Sequence, residues 1–266
     1  MTGRELTAYN EKWAKQAEQY AAQEQITGGT FLSTRGGTLC VGDEAMPGNQ
    51  VCVLVLDAVM ENTLYAEKFD ADNKASPICY AFGRDAEEMA PHPSMQVDLS
   101  YFKPQHATCQ GCPNNEWGSA DQGRGKACQN RRRLALLPAG IYTAKRQSRD
   151  FDLDLFDDPK HYQQADICYL KLPVTSIKAW SKYVNQIAQS VNRPPHGVIT
   201  RVWLEPNQKN QFEVKFEMLD MVPDELFDVV QGRHEEAVKA VIQGYSVPPE
   251  REVQQTGSLR GLRRQR

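Results

Sequence analysis

Four cysteines carry the spacing that most constrains the chemistry of this chain: Cys79, Cys109, Cys112 and Cys128 read C-x29-C-x2-C-x15-C. Cys109 and Cys112 form a C-x2-C knuckle, turned by Gly111 and Pro113, that lets two thiolates approach one ion. Cys128 adds a third thiolate and Cys79, well upstream, the fourth. His92 or His106 is the alternative to Cys79, because imidazole and thiolate both suit zinc. Four such ligands close a tetrahedral site with no open position, so the expected cofactor is one structural Zn2+ ion rather than a catalytic one. A disulfide pair is the rival use of these thiols. Met1 to Gln25 is polar and charged, unlike a secretory leader, so a reducing compartment is expected.

Cys40, Cys52 and Cys168 lie among Leu39, Val41, Val51, Val53, Ile167 and Tyr169, where a free thiol behaves as a small core hydrophobe. The chain holds 5 histidines, scattered so that none pairs with a cysteine as base with nucleophile. Asp152 and Asp154, in F-D-L-D-L-F, could serve a two-metal nuclease. The same alternation fits a solvated strand edge, and no partner acids or bases accompany it. The stretch G-S-A-D-Q-G-R-G-K combines glycine with lysine but lacks a phosphate-loop spacing, and Ala127 and Cys128 follow Lys126 where a hydroxyl would be needed.

Charge narrows the partners. The net charge of −3 over 266 residues excludes a polybasic coat, so binding to a polyanion must use a local patch. Between Trp117 and Arg133 stand Arg124, Lys126, Arg131, Arg132 and Arg133 against one acid, Asp121. Trp117 sits among glycines and polar residues, where exposure or capping of the zinc site is expected rather than burial in the main core. Arg201 and Trp203 share one face of a strand, with ordinary packing as the alternative for the indole. Cations beside aromatic faces are what single-stranded nucleic acid needs, one for phosphates and the other for stacked bases.

The elements that must position these residues follow from periodicity. Residues 1–27 read as an N-terminal helix. Thr30–Ser33 and Thr38–Val41 flank Gly36-Gly37 as a hairpin. Val51–Met60 and Thr63–Lys68, joined at Glu61-Asn62, read as a second hairpin, and Pro77–Gly83 as a strand delivering Cys79. Residues 84–129 read as a loop-rich, metal-held stretch within a zinc insertion at about 77–133. Leu134–Leu137 resumes the sheet, Ile141–Lys145 is expected to continue it beyond Pro138, and Ile167–Leu172 is a further strand. A helix capped by Thr175 or Ser176 runs to Val191, with Ile177, Trp180, Val184, Ile187 and Val191 on its buried face. Val198–Leu204 and Phe212–Met218 alternate as the clearest strands. A final helix covers about Pro223–Gln243, within a C-terminal helical segment at 221–245, and a basic tail follows at 246–266. No apolar run approaches membrane-spanning length. The fold class is α+β, mainly β, and the order of elements over 28–220 matches an OB-like five-stranded barrel with a zinc-stabilised loop insertion and flanking helices.

The segments P-I-C-Y-A-F-G, C-Q-G-C-P-N-N-E-W-G-S-A, G-R-G-K-A-C-Q-N-R-R-R-L-A-L-L and L-P-V-T-S-I-K-A-W-S-K-Y-V resemble a group of bacteriophage single-stranded DNA-binding proteins with an OB core and a zinc element. The resemblance spans roughly residues 28 to 220. It implies a non-enzymatic protein that coats and protects single-stranded DNA in phage replication or recombination, with replication or recombination proteins as further partners, in the cytoplasm of the infected host. One departure is the end of the chain, R-G-L-R-R-Q-R, where many such proteins carry an acidic recruiting tail. The other readings are a nuclease at Asp152 and Asp154, and a zinc-containing interaction module.

Overall fold

Two long strands give the fold its frame. The computed structural model describes residues 31–42, 44–66, 76–121, 123–146, 148, 150–208 and 210–247. The expected N-terminal helix and nearly all of the basic tail lie outside these residues. In chain order the strands are β1 (Phe31–Ser33), β2 (Cys40–Val41), β3 (Glu44–Ala45), β4 (Gln50–Leu64), β5 (Cys79–Gly83), β6 (Gln129–Ala144), β7 (Phe151–Leu155), β8 (Cys168–Leu172), β9 (Val198–Asn207) and β10 (Gln211–Met221). The α-helices are α1 (Pro159–Gln164), α2 (Val174–Val191) and α3 (Phe227–Ala240). Among the described residues no helix is long and apolar enough to cross a membrane.

The protein is mainly β with a few helices, as the sequence predicts. Its strands pair in the order β10-β9-β4-β6-β8-β1-β2-β3, with β5 also on β4 and β7 also on β6. The result is a ten-stranded open mixed sheet, and the five-stranded barrel is not what these pairings make. The physical reason is the length of β4 and β6, which span 15 and 16 residues and so take additional partners along their course.

That length corrects one expectation and bears out another. Glu61-Asn62 is not a turn, because both residues lie buried within β4. The Tyr245 hydroxyl donates to Glu61, and Asn130 Nδ2 donates to Asn62 Oδ1 at 2.6 Å. These partners offset the desolvation that would otherwise bar the pair from a strand. Beyond Pro138 the sheet continues as expected, and β6 runs from Gln129 to Ala144.

The chain forms two compact units, one from 1–60 with 131–242 and the other from 61–130 with 243–266. In the first, Leu32, Val53, Val55, Leu134, Leu136, Leu170, Leu172, Val202 and Val214 pack beneath α2. Trp180 meets Phe216 edge-on at 5.1 Å, so this indole is core, as its spacing suggests. The buried face of α2 is Ser176, Trp180, Tyr183 and Ile187. Ser176 is turned inward because its hydroxyl accepts the Val214 amide at 2.9 Å, which removes it from the predicted capping role. Asn192 ends the helix in the left-handed region at φ 53. The hairpin of β9 and β10 forms as predicted and extends further at both ends. In the second unit, Tyr80, Met95 and Phe102 form a small core against which Cys79, Phe82, Tyr101 and Tyr245 pack.

Cys52 is buried on β4, and that burial pushes its thiol from the ordinary value of 9.0 up to about 12. A group raised in the folded state contributes stability that is fully present below its unfolded value and lost as pH rises through the folded one. The urea midpoint should therefore hold up to pH 9 and fall between there and pH 12. The Cys52 share is at most about 4 kcal/mol. Tyr162, also raised to about 12 by burial, acts in the same direction. Comparing the alkaline fall of Cys52→Ala with that of the wild type isolates the thiol, and equal falls would refute its contribution.

Candidate functional site

The second unit brings Cys79, Cys109, Cys112 and Cys128 to the wall of one cavity of about 20 Å³. Cys79 arrives at the start of β5, whose edge is covered by the chain beyond it. Cys109 is set by its amide, which donates to Met89 O at 2.7 Å. Cys112 precedes a 3-10 turn at Pro113–Asn115, and the Asn115 amide donates back to Cys112 O at 2.8 Å. Gly111, at φ 74, supplies the left-handed residue between the two knuckle cysteines that a side chain would strain. Cys128 is fixed by its amide donating to Asn114 O at 2.7 Å, just before β6 begins.

The four sulfurs sense one another. Burial pushes the Cys128 thiol up to about 12, and neighbouring Cys109, Cys79 and Cys112 add to the rise while Lys126 opposes it. Cys79 is raised by burial and by Cys109 and Cys112, although the Gln105 backbone amide donates to its sulfur. Cys109 is raised by burial and by Cys112, against a hydrogen bond from the Asn62 side chain. Three thiols, each raised by burial and by sulfurs beside it, are together with Cys112 a poor arrangement for free cysteines and a suitable donor set for a soft cation, whose charge removes that repulsion. Amide donors on two of the sulfurs are the kind of outer partners that orient metal thiolates. Among the described residues, no group of three or more His, Cys, Asp or Glu donors is drawn together at metal-holding geometry. The fit therefore rests on the shared cavity and the donor chemistry.

The histidine alternatives separate. His92 caps a 3-10 turn, with its Nδ1 2.8 Å from Ser94 Oγ and its ring stacked on Tyr80, and it does not line the cavity. His106 does line it, with Nδ1 3.0 Å from Thr108 O.

A short loop built on this wall carries Trp117, Arg124 and Lys126. Gly118 and Ala120 amides donate to Gly125 O at 2.9 and 3.2 Å, and the Ala127 amide donates to Ser119 Oγ at 2.9 Å. At the loop's base Trp117 is 77 % exposed, with Lys126 Nζ 5.7 Å from its ring centroid. Arg124 is exposed, while Lys126 is half-buried and donates to Asn115 Oδ1 at 3.3 Å. Glu116 and Asp121 are exposed on the same loop, so its field is mixed rather than strongly positive.

The remaining predicted contacts belong to the first unit and are more committed than the sequence suggests. Arg131 and Arg132 are half-buried on β6, and burial lowers the pKa of Arg132. Arg133 is only 5 % exposed and donates to Val241 O at 3.2 Å, so it is a structural cation and not a surface phosphate ligand. Arg201 lies 4.8 Å from the Trp203 ring and pairs with Glu217 at 3.3 Å. Lys215, opposite Trp203, bonds Glu213 at 2.9 Å and reaches Glu205 at 3.5 Å. That strand face is an internally paired mixture of charge, so Arg201 is not part of a positive groove. Asp152 and Asp154 are exposed on β7, and Asp152 is paired with Lys145 at 2.9 Å, as a solvated strand edge would be. Asn62 and Gln105, which reach the cysteine sulfurs, carry no sequence signal that would have singled them out.

No family model, curated protein or solved structure matches the chain.

Proposed function

We propose that this is a non-enzymatic single-stranded DNA-binding protein of the phage replication or recombination type, in which Cys79, Cys109, Cys112 and Cys128 hold one structural zinc ion. The observation that carries the reading is the exposed Trp117, held beside Lys126 on a loop that also carries the exposed Arg124 and is built upon the four-cysteine wall. Leaving an indole in water is unfavourable unless something covers it, and a nucleobase does so at about 1–3 kcal/mol per stack. The zinc ion would supply only rigidity, fixing the loop so that little ordering remains to be done on binding. A closed five-stranded barrel is not required for this role, since the stacking residue is mounted on the cysteine loop. Host cytoplasm, where thiols stay reduced, suits such a site.

Titration of a dye-labelled oligo-dT strand at several salt concentrations tests the reading. Affinity should fall as salt rises, with a preference for the single strand over duplex. Binding that ignores salt, or that favours duplex, sinks it. Failure to bind any oligonucleotide, with capture of a replication protein instead, would support the interaction-module reading.

A further inference from the structure

A cavity of about 310 Å³ opens in the first unit between the 3-10 turn at Pro195–Gly197, the chain leaving β10 and the start of α3, and the proposed function gives its lining no part. Its frame is set by the backbone. The Gly197 amide donates to Pro194 O at 2.9 Å, and the Val222 amide donates to Gly197 O at 3.1 Å. Val222 and Val230 are buried and make the floor, whereas Pro194, Pro223 and Phe227 are exposed and make the rim, with the Phe227 ring 62 % exposed. The volume falls at the lower end of the roughly 300–1,000 Å³ that ligand pockets span, so it suits a ligand of one or two rings.

Two polar side chains in the lining remain available to a ligand. His196 is stacked on His234, with centroids 4.2 Å apart and 20° between the planes, and His234 is fixed in turn by its Nδ1, which donates to Leu56 O at 2.7 Å. Stacking sets the plane of the His196 ring but engages neither of its nitrogens. Among the described residues, neither those nitrogens nor the amide of the half-buried Gln231 has a hydrogen-bond partner. Burial, and after it His234, lowers the His196 pKa against the opposing pull of Asp57, so the ring is neutral at pH 7 and offers one donor and one acceptor. Gln231 offers both kinds of group from its amide.

The charges in the lining are already matched. Arg193 Nη1 donates to Val222 O at 2.7 Å, and Nη2 lies 3.6 Å from Asp224. An anion would find its counter-ion committed, and a cation would compete with Arg193 for Asp224. What is left for a ligand is apolar surface for the faces of a ring and donor–acceptor groups for its edge.

From this combination we infer that the cavity binds a planar, uncharged heterocycle of nucleobase type, with His196 and Gln231 engaging its polar edge and Phe227 its face. The source of the ring is either a free nucleoside or a base within a strand. The inference goes beyond the proposed function and needs neither Trp117 nor the cysteine loop.

Saturation-transfer difference NMR tests it, with thymidine as the probe and the full chain carrying Trp117→Ala, a background without the exposed indole. The thymine H6 and methyl resonances should receive saturation, and deoxyribose 5-phosphate should receive none. Adding Phe227→Ala should raise the thymidine dissociation constant about tenfold, the effect of a lost stacking face. Adding Gln231→Ala should raise it about fivefold, the effect of a lost hydrogen bond. Neither side chain is buried, so both variants should melt with the parent. Displacement of thymidine by oligo-dT identifies a base of a strand as the source, and thymidine that stays bound identifies the free nucleoside; both outcomes support the site. No saturation of thymidine, or the same dissociation constant in both added variants, overturns it. So does p-xylene bound as tightly as thymidine, which would make the cavity an apolar cleft without a polar reader. Oligo-dT binding by the wild-type chain is measured separately, so either reading can fail while the other stands.

Discussion

Replacing Cys112 with serine is expected to abolish binding of the proposed zinc ion and unfold the second unit, while the first keeps its cooperative melt. The argument is one of size. The second unit has a core of Tyr80, Met95 and Phe102 with a few partly buried neighbours, and much of its chain between β5 and β6 is turns and short 3-10 segments. So little apolar burial cannot offset the entropy of ordering that loop. A structural zinc ion contributes about 10–16 kcal/mol of binding free energy, which becomes folding free energy when no site exists in the unfolded chain. Cys112, buried to 8 % exposure, lines the shared cavity, and a serine hydroxyl in its place is a poor zinc ligand. Native mass spectrometry should count one zinc per wild-type chain and none in Cys112→Ser. Limited proteolysis should then cut between residues 84 and 128 in the variant alone. Cys168→Ser, outside the cavity, should keep the ion. Because burial and mutual repulsion favour the protonated thiols, protons compete with the metal, and retention should weaken as pH falls. A metal-free wild-type protein that melts identically would falsify the structural site.

Trp117→Ala should weaken oligo-dT binding by roughly 5- to 150-fold, the equivalent of about 1–3 kcal/mol for one lost stack. Stability should stay within about 0.5 kcal/mol of wild type, since an exposed side chain leaves no cavity behind. That separation of affinity from stability is the diagnostic result. Trp180→Ala makes the contrast: its indole is 5 % exposed and meets Phe216 and Tyr183, so its loss should cost about 3–5 kcal/mol of folding. Trp117→Phe should restore most of the binding. Unchanged affinity in Trp117→Ala would assign the exposed indole to another partner.

The sequence made local periodicity legible and left long-range pairing hidden. The alternation in Val198–Leu204 and Phe212–Met218 defined a hairpin that the structure contains, and the helical spacing around Trp180 defined α2. Glu61-Asn62 misled because turn chemistry is local, whereas the burial of the pair depends on Tyr245 and Asn130. The cysteine set was readable from spacing, and the structure gathers all four in one cavity wall. Basic residues were harder. Arg131, Arg132 and Arg133 look alike in sequence, yet β6 buries Arg133 and half-buries the other two, because exposure on a strand is set by parity and by what crosses above it. Phe31 and Tyr169 are far apart in sequence and become neighbours only through a parallel pairing that no local pattern announces.

Glu61 and its hydroxyl donor Tyr245 bear on biosynthesis. The chain carrying the four cysteines is made long before residue 245 leaves the ribosome, so a nascent second unit has its thiols but lacks the ring that packs on Tyr80 and the donor for a buried carboxylate. During that interval the buried Glu61 lacks one of its donors, the Tyr245 hydroxyl, and the small core around Tyr80 lacks a ring. Synthesis thus imposes an order of events: the four thiols emerge early, but the packing around them is completed only when Tyr245 arrives.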